Sequence, residues 1–131
     1  MKKYSVNVTN YAYKQLSEIA EYISEVLFSP ETAKKWLIKM RKEISELSIF
    51  PSKFILIDEE PWKSRGIHRM CVDNYNIYYT IDETNSEVWI IAIVYARRNQ
   101  KEQLADIELL WKISVNWIKL KGRLYNLPFS L

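Results

Sequence analysis

Cysteine, histidine and glycine are scarce in this sequence of 131 residues, which holds one Cys, one His, two Gly and four Pro. The single cysteine, Cys71, excludes an intramolecular disulfide framework. One Cys and one His also leave too few ligands for a structural zinc site. So little Gly and Pro excludes collagen-like and low-complexity chains. These scarcities suit a protein of the reducing cytosol, and we expect no metal and no cofactor.

A long uninterrupted apolar run is missing as well. The richest stretch, Leu104–Leu120, is broken by four charged residues, so it falls short of the roughly 18 consecutive apolar residues of a membrane helix. The polar stretch Tyr4–Asn10 stands where a signal peptide would carry its apolar core. We therefore expect a cytoplasmic protein with no membrane partner.

The composition that remains is that of an ordinary globular domain. Apolar residues make up 48% of the chain and charged residues 27%, which excludes a disordered protein. Nineteen basic and sixteen acidic residues give a net charge of +3. This excess is too small to argue for a nucleic-acid partner by itself.

The first fifty residues predict one strand and two helices. Tyr4–Val8 alternates apolar and polar residues, as a half-buried strand does. Thr9 or Asn10 can cap the amphipathic helix that follows and ends near Phe28. Ser29-Pro30-Glu31 then combines a capping hydroxyl, a proline at the first helical position and an acid, which predicts the start of a second, antiparallel helix.

Strands follow the two helices. The runs with strand character are Phe54–Ile57, Ile67–Val72, Tyr75–Ile81 and Val88–Tyr95. The last is almost continuously apolar, which is typical of a central strand covered on both faces. The order predicts an α+β fold, with the N-terminal strand and the antiparallel helix pair packed on a mainly antiparallel sheet.

An apolar C-terminal extension follows that domain, which we place at residues 1–104. Residues 105–131 fit either a helix or a strand, and eleven apolar residues crowd Leu104–Leu120. A free surface rarely tolerates that density. We expect the extension to bury itself on its own sheet or to exchange with a second copy and form a homodimer.

Ordered motifs along residues 4–104 resemble those of one family. They are the Ser-Pro-Glu-Thr-Ala entry to the second helix, Phe50-Pro51, Gly66-Ile67-His68-Arg69-Met70, the Tyr-Asn-Ile-Tyr-Tyr strand from Tyr75, and an apolar strand running into Arg97-Arg98. In this order they resemble the RelE/ParE superfamily of toxins from bacterial type II toxin–antitoxin systems. The resemblance implies an antitoxin partner and a role in plasmid stabilisation or growth inhibition.

Two activities are known in that superfamily. One branch is a metal-independent endoribonuclease that cleaves mRNA on the ribosome, where cations must surround the phosphate and a group must move a proton. The other branch inhibits DNA gyrase by binding. Asn76 stands where the cleaving branch has an arginine, and no catalytic Tyr or His matches after Arg98. The resemblance therefore favours gyrase-type binding, with mRNA cleavage and an inactive interaction domain as alternatives.

Four arginines are candidates for contacts with the target: Arg65, Arg69, Arg97 and Arg98. The last two follow the central strand as an exposed cationic edge, suited to nucleic acid or to an acidic partner. The alternative reading is that these charges are merely solvated or paired within the fold.

Two residues are weak catalytic candidates for the nuclease alternative. His68 is the only side chain whose ordinary pKa suits proton transfer near neutrality. Tyr78 faces away from Tyr75 and Tyr79 along its strand, so it either lines a site or meets the helix pair. We expect Cys71 to be a small buried apolar residue.

Overall fold

The computed structural model describes residues 2–58, 60–97 and 126–128, the last three by their backbone alone. Along the chain lie β1 (Ser5–Thr9), α1 (Asn10–Glu21), α2 (Pro30–Ser45), β2 (Ile55–Leu56), β3 (His68–Val72), β4 (Tyr75–Asp82), β5 (Glu87–Tyr95) and β6 (Asn126–Pro128). The strands form one sheet in the order β2–β3–β4–β5–β1–β6. Only β1 and β5 pair in parallel. The predicted α+β fold is confirmed.

The two helices begin where the sequence predicts, but their caps differ. The Thr9 hydroxyl accepts the Ala12 N–H at 3.2 Å and so caps α1. Before α2, the Ser29 hydroxyl instead donates to the hydroxyl of Thr32 at 2.5 Å and caps no backbone group. The expected Ser29 cap is therefore wrong, and Pro30, which has no N–H to satisfy, begins the helix.

A π-helical turn, Tyr22–Val26, continues α1 and leads into the short connection to α2. The connection reverses at Phe28, whose φ of 52° lies in the left-handed region. This reversal returns α2 against α1, and both pack on the sheet. Neither helix of the described part is long and apolar enough to span a membrane.

The main core lies between the helices and the sheet, on the helix face. Its buried side chains alternate along the strands and recur at helical spacing. They are Val8, Ala12, Leu16, Ala20, Ile23, Ala33, Trp36, Met40, Ile44, Leu47, Met70, Val72, Ile77, Tyr79, Val88, Ile90 and Ile93. The prediction that Tyr78 faces away from Tyr75 and Tyr79 is confirmed, but Tyr78 does not meet the helix pair, because the helices cover the other face of the sheet.

A β-bulge interrupts the pairing of β4 with β5. Tyr78 pairs with Ala92 while Tyr79 pairs with Ile90, so Ile91 is the extra residue. A bulge disturbs the strict alternation of a strand. Both Ile91 and Ala92 consequently pack on the face away from the helices. The expectation that β5 is a central strand covered on both faces is confirmed by its burial from Glu87 to Val94.

Cys71 is exposed, contrary to the expected burial, because it alternates with Met70 and Val72, which point into the core.

Of the C-terminal extension only β6 falls within the described residues, and it pairs antiparallel with β1 from Asn7 to Thr9. Arg98 and residues 99–125 lie outside the described residues.

Candidate functional site

The sheet face opposite the helices is covered by the loop between β2 and β3, and we call it the loop face. Trp62 from this loop packs on a small buried cluster. The members of the cluster are Ile57, Ile67, Tyr78, Ile91, Ala92 and Val94. Among its members, Tyr78 is fully buried. The loop face near Tyr78 is therefore a second, smaller core.

The loop holds its shape through bonds within itself. The N–H groups of Arg65 and Ile67 donate to the carbonyls of Pro61 and Trp62 at 3.2 and 3.1 Å. The Glu60 carboxylate accepts the backbone N–H of Ser64 at 2.8 Å, and the Ser64 hydroxyl also donates to it. These bonds lower the pKa of Glu60. Gly66 closes the loop with a φ of +71°, a conformation that glycine adopts without strain.

Arg69, Tyr78 and Asn76 form a polar group on the loop face. Arg69 pairs with Tyr78 across β3 and β4. Burial raises the pKa of Tyr78, and the charge of Arg69 together with hydrogen bonds to Asn76 and Arg69 opposes that rise. Asn76 is buried and Arg69 is half-buried. Arg69 is thus engaged with its neighbours in the fold.

An acidic residue is buried further along the same face. Glu87 is only 4% exposed, and its Oε2 accepts from Asn7 Nδ2 at 3.4 Å. The Trp89 side chain is on the same face of the sheet, because its neighbours in β5, Val88 and Ile90, belong to the helix-face core. A buried carboxylate beside a phosphate would oppose the binding of that phosphate.

His68 lies on the other side of the sheet. Its ring stacks on Tyr79, with the ring centroids 5.2 Å apart and the planes 15° apart. Its Nδ1 is 3.0 Å from the Phe54 carbonyl, so Nδ1 carries the proton and donates to that oxygen. Since His68 and Arg69 are consecutive in a strand, they face opposite sides of the sheet.

The other two arginine candidates in the described residues, Arg65 and Arg97, come from different elements. Arg65 is half-buried in the loop that leads into β3, and Arg97 is exposed in the turn after β5, where the Ala96 N–H donates to the Asn74 carbonyl at 2.7 Å. Arg69 and Ala92 both pair with Tyr78, so Arg97 lies about 10 Å or more from Arg69 along the sheet and two strands away. The structure therefore does not bring Arg69 and Arg97 together.

Among the predicted nuclease residues, Arg69 and Tyr78 are hydrogen-bonded to each other on the loop face, whereas His68 lies on the opposite face of the sheet. The cations are spread over the loop face and the end of β5, His68 is on the helix face, and the Tyr78 hydroxyl is buried. No group of three or more metal-ligating side chains occurs within residues 2–58 and 60–97. Arg97, at the end of β5, is exposed.

A groove on the helix side of the sheet is the feature that the sequence analysis missed. It lies between α1 and the ends of β4 and β5 and has a volume of about 610 Å³. Glu18, Tyr22, Leu27, Tyr75 and Tyr95 line it. The only advance signal was the pair Leu27-Phe28, apolar residues placed at a helix end where burial is difficult.

Several solved toxin structures share this α+β fold. The ParDE toxin–antitoxin system of Pseudomonas aeruginosa aligns with a TM-score of 0.60 and 18% identity, over 72% of this chain and 98% of that chain. The toxin–antitoxin complex RelBE2 of Mycobacterium tuberculosis gives 0.51 and 18%, over 71% and 98%. A free mutant of the Escherichia coli toxin RelE gives 0.53 and 12%, over 88% and 98%.

Sequence comparison assigns the family within that fold. The family described as ParE toxin of the type II toxin–antitoxin system, parDE, matches residues 6–100. No curated protein matches the chain. The chain belongs to the ParE toxin family, and it is the toxin component of a type II toxin–antitoxin module.

Proposed function

We propose that this toxin inhibits growth in the cytosol by binding a macromolecular target, with gyrase-type inhibition favoured over mRNA cleavage. The observation that carries the proposal is the separation of His68 from Arg69 on opposite faces of the sheet. A proton-transfer group must lie within hydrogen-bond reach of the reacting atoms.

Arg97 and the residue that follows it in the sequence, Arg98, are the proposed contact with the target, and Arg65 in the loop between β2 and β3 is a secondary one. Arg97 is exposed at the end of the central strand, where its guanidinium can pair with carboxylates or phosphates. Arg69 is the weakest of the four candidates, because its charge already acts on the buried Tyr78.

Induced expression tests the proposal, with plasmid supercoiling and mRNA integrity followed in the same cultures. We expect growth arrest with altered supercoiling and intact mRNA. The double change Arg97→Ala and Arg98→Ala should relieve the arrest and leave the fold intact, since exposed substitutions change stability by about 0.5 kcal/mol or less. Lys34→Ala with Lys35→Ala is the matched control, because it removes two adjacent exposed charges from α2.

The outcomes separate the alternatives. Rapid mRNA loss that His68→Gln abolishes would overturn the proposal in favour of an endoribonuclease. Full arrest by a folded Arg97 and Arg98 double variant would remove this edge from the target site. If the toxin expressed alone causes no arrest, and the purified protein still binds its antitoxin, the chain is an inactive toxin-like interaction domain.

A further inference from the structure

The two helices carry opposite charge on their exposed surfaces. In α1 and the π-helical turn that follows it, the exposed charges are Lys14 and three acids, Glu18, Glu21 and Glu25. In α2, five basic residues stand against two acidic ones. This excess equals the net charge of +3 of the whole chain. The positive charge of the protein is therefore concentrated on one helix rather than spread over the surface.

Four cations surround one apolar side chain on the outer side of α2, and we call these five residues the basic face. The cations are Lys34, Lys35, Arg41 and Lys42, all exposed, and Ile38 between them is 59% exposed. Because an α-helix turns by about 100° per residue, Lys34 and Arg41 form one row along the helix, and Lys35 and Lys42 form a second row beside it. Each row is about 10 Å long, at a rise of about 1.5 Å per residue.

Ion pairs among the described residues leave the lysines of the basic face unneutralised. In the part of the chain that the structure describes, no carboxylate lies within ion-pair distance of Lys34, Lys35 or Lys42. The remaining cation of α2, Lys39, belongs to the fold instead: its Nζ is 2.7 Å from Asp73 Oδ1 in the turn between β3 and β4. The basic face thus presents its charge to solvent and to a partner.

The residue types of the basic face fit a phosphate backbone better than a protein surface. Protein interfaces are depleted in lysine and enriched in aromatic residues and arginine. The basic face has three lysines and no aromatic side chain. Lysine is a flexible point charge that binds phosphates without a fixed geometry. Duplex DNA carries about one negative charge per 1.7 Å of its axis, so a face about 10 Å long meets about six phosphates.

The shape of α2 distinguishes DNA from RNA. An α-helix with its side chains is about 10–12 Å across, and the major groove of B-DNA is about 12 Å wide. The outer side of α2 can therefore rest at the mouth of this groove with one row of cations toward each strand. Ile38 then faces the base edges, where thymine presents a methyl group. The major groove of A-form RNA is too narrow and deep for this arrangement.

We infer that the basic face of α2 binds duplex DNA across the major groove, through phosphate contacts and without strong sequence preference. This surface lies on the opposite side of the sheet from the loop face, because α2 packs on the helix face. The inference goes beyond the proposed function and does not depend on it, since neither Arg97 nor Arg65 takes part. The contact concentrates the toxin on DNA whatever its target is.

Binding of the purified full chain to a labelled DNA duplex of about 20 base pairs tests the inference, with fluorescence anisotropy as the measurement. Four phosphate contacts predict that the logarithm of the affinity falls with the logarithm of the KCl concentration with a slope of about −3.6. The affinity should therefore drop roughly 150-fold between about 50 and 200 mM KCl. An RNA duplex of the same sequence should bind less tightly than the DNA.

Two double variants of equal net charge locate the contact. Lys35→Ala with Lys42→Ala removes one row of the basic face and should make the slope shallower by about 1.8. Lys3→Ala with Lys53→Ala removes two exposed lysines from other parts of the surface and should leave the slope unchanged. Melting temperatures check that both variants fold. Equal effects of the two pairs would overturn the inference, because they would show attraction by net charge alone.

Other outcomes would also overturn it. These are the absence of DNA binding at about 50 mM KCl, an RNA duplex that binds as tightly as the DNA, and DNA-induced amide shifts at Arg97 instead of at residues 34–42. Tighter binding of poly-glutamate than of DNA would assign the basic face to an acidic protein segment. Growth arrest and supercoiling are measured separately from DNA binding, so a failure of either proposal leaves the other intact.

Discussion

The two faces of the sheet are built on different scales. Within the described residues, the helix face buries seventeen residues in one cluster that includes side chains from both helices. The loop face buries six described residues under a single loop, beside the buried polar residues Asn7, Asn76 and Glu87. Buried polar groups contribute less to stability than apolar ones even when hydrogen-bonded. The helix face therefore determines stability, and the loop face is the face that tolerates polar chemistry.

The largest expected effect is that of removing the extension after Gln103. Strand β6 pairs with β1 at Asn7–Thr9, and the extension carries the dense apolar stretch, so truncation should expose that edge and lower solubility. Light scattering would report the oligomeric state, and amide exchange at Asn7–Thr9 should accelerate. A truncated protein that is monodisperse and melts at the same temperature would make the extension dispensable.

Single core truncations compare the two faces directly. Ile44 on the helix face and Ile67 on the loop face are both fully buried. We expect Ile44→Ala to lower the free energy of unfolding by about 2–5 kcal/mol, and Ile67→Ala to cost less because the loop can collapse onto the smaller cluster. Urea denaturation measures both values. Equal losses would contradict the ranking of the faces.

The cap of α1 ties the helix layer to the sheet. The Thr9 hydroxyl caps α1 and donates to the Ile91 carbonyl at 3.3 Å. Thr9→Ala should cost about 1–2 kcal/mol of stability. Ser29→Ala is the control and should cost less than about 0.5 kcal/mol, since Ser29 caps no backbone group. Similar costs for the two variants would remove the special role of Thr9.

Two adjacent tyrosines give the smallest and most specific comparison. Burial alone raises the pKa of Tyr79, on the helix face, well above its usual range, whereas Arg69 partly opposes the rise for Tyr78. A tyrosine whose pKa is raised by folding contributes stability that is complete below about pH 10, the pKa of an unfolded tyrosine, and that is lost as the pH rises further.

Stability measured by denaturation from pH 8 to 11 checks this sign. Tyr79→Phe should reduce the alkaline loss more than Tyr78→Phe does. It should also cost about 0.5–1.5 kcal/mol at neutral pH, because the Tyr79 hydroxyl donates to the Pro51 carbonyl. Tyr13→Phe, at an exposed site, should leave the profile unchanged. A steeper alkaline loss in Tyr79→Phe would contradict the assignment.

Much of the fold was predictable because local patterns and the tertiary structure agree. The alternation at Val6 and Val8 and the alternation around Tyr79 predict correctly which side chains face the core, and the proline at the start of α2 predicts where that helix begins. Predictions failed where one residue had two plausible environments. Cysteine is a residue type that is usually buried, but Cys71 occupies a position of β3 whose side chain points to solvent. Ser29 has a side chain that could cap a helix, but its hydroxyl donates to the Thr32 hydroxyl instead.

By itself, the sequence determined the order of the elements and the helix face, because periodicity and capping act over a few residues. Its ordered motifs carried the resemblance to the toxin superfamily. Only the tertiary structure decided how distant residues meet. It placed His68 and Arg69 against different neighbours, separated Arg69 from Arg97, buried Tyr78 under Trp62, and joined Glu18 to Tyr95 in one groove. Such pairings depend on strand register and on a bulge at Ile91, which no local pattern in the chain encodes.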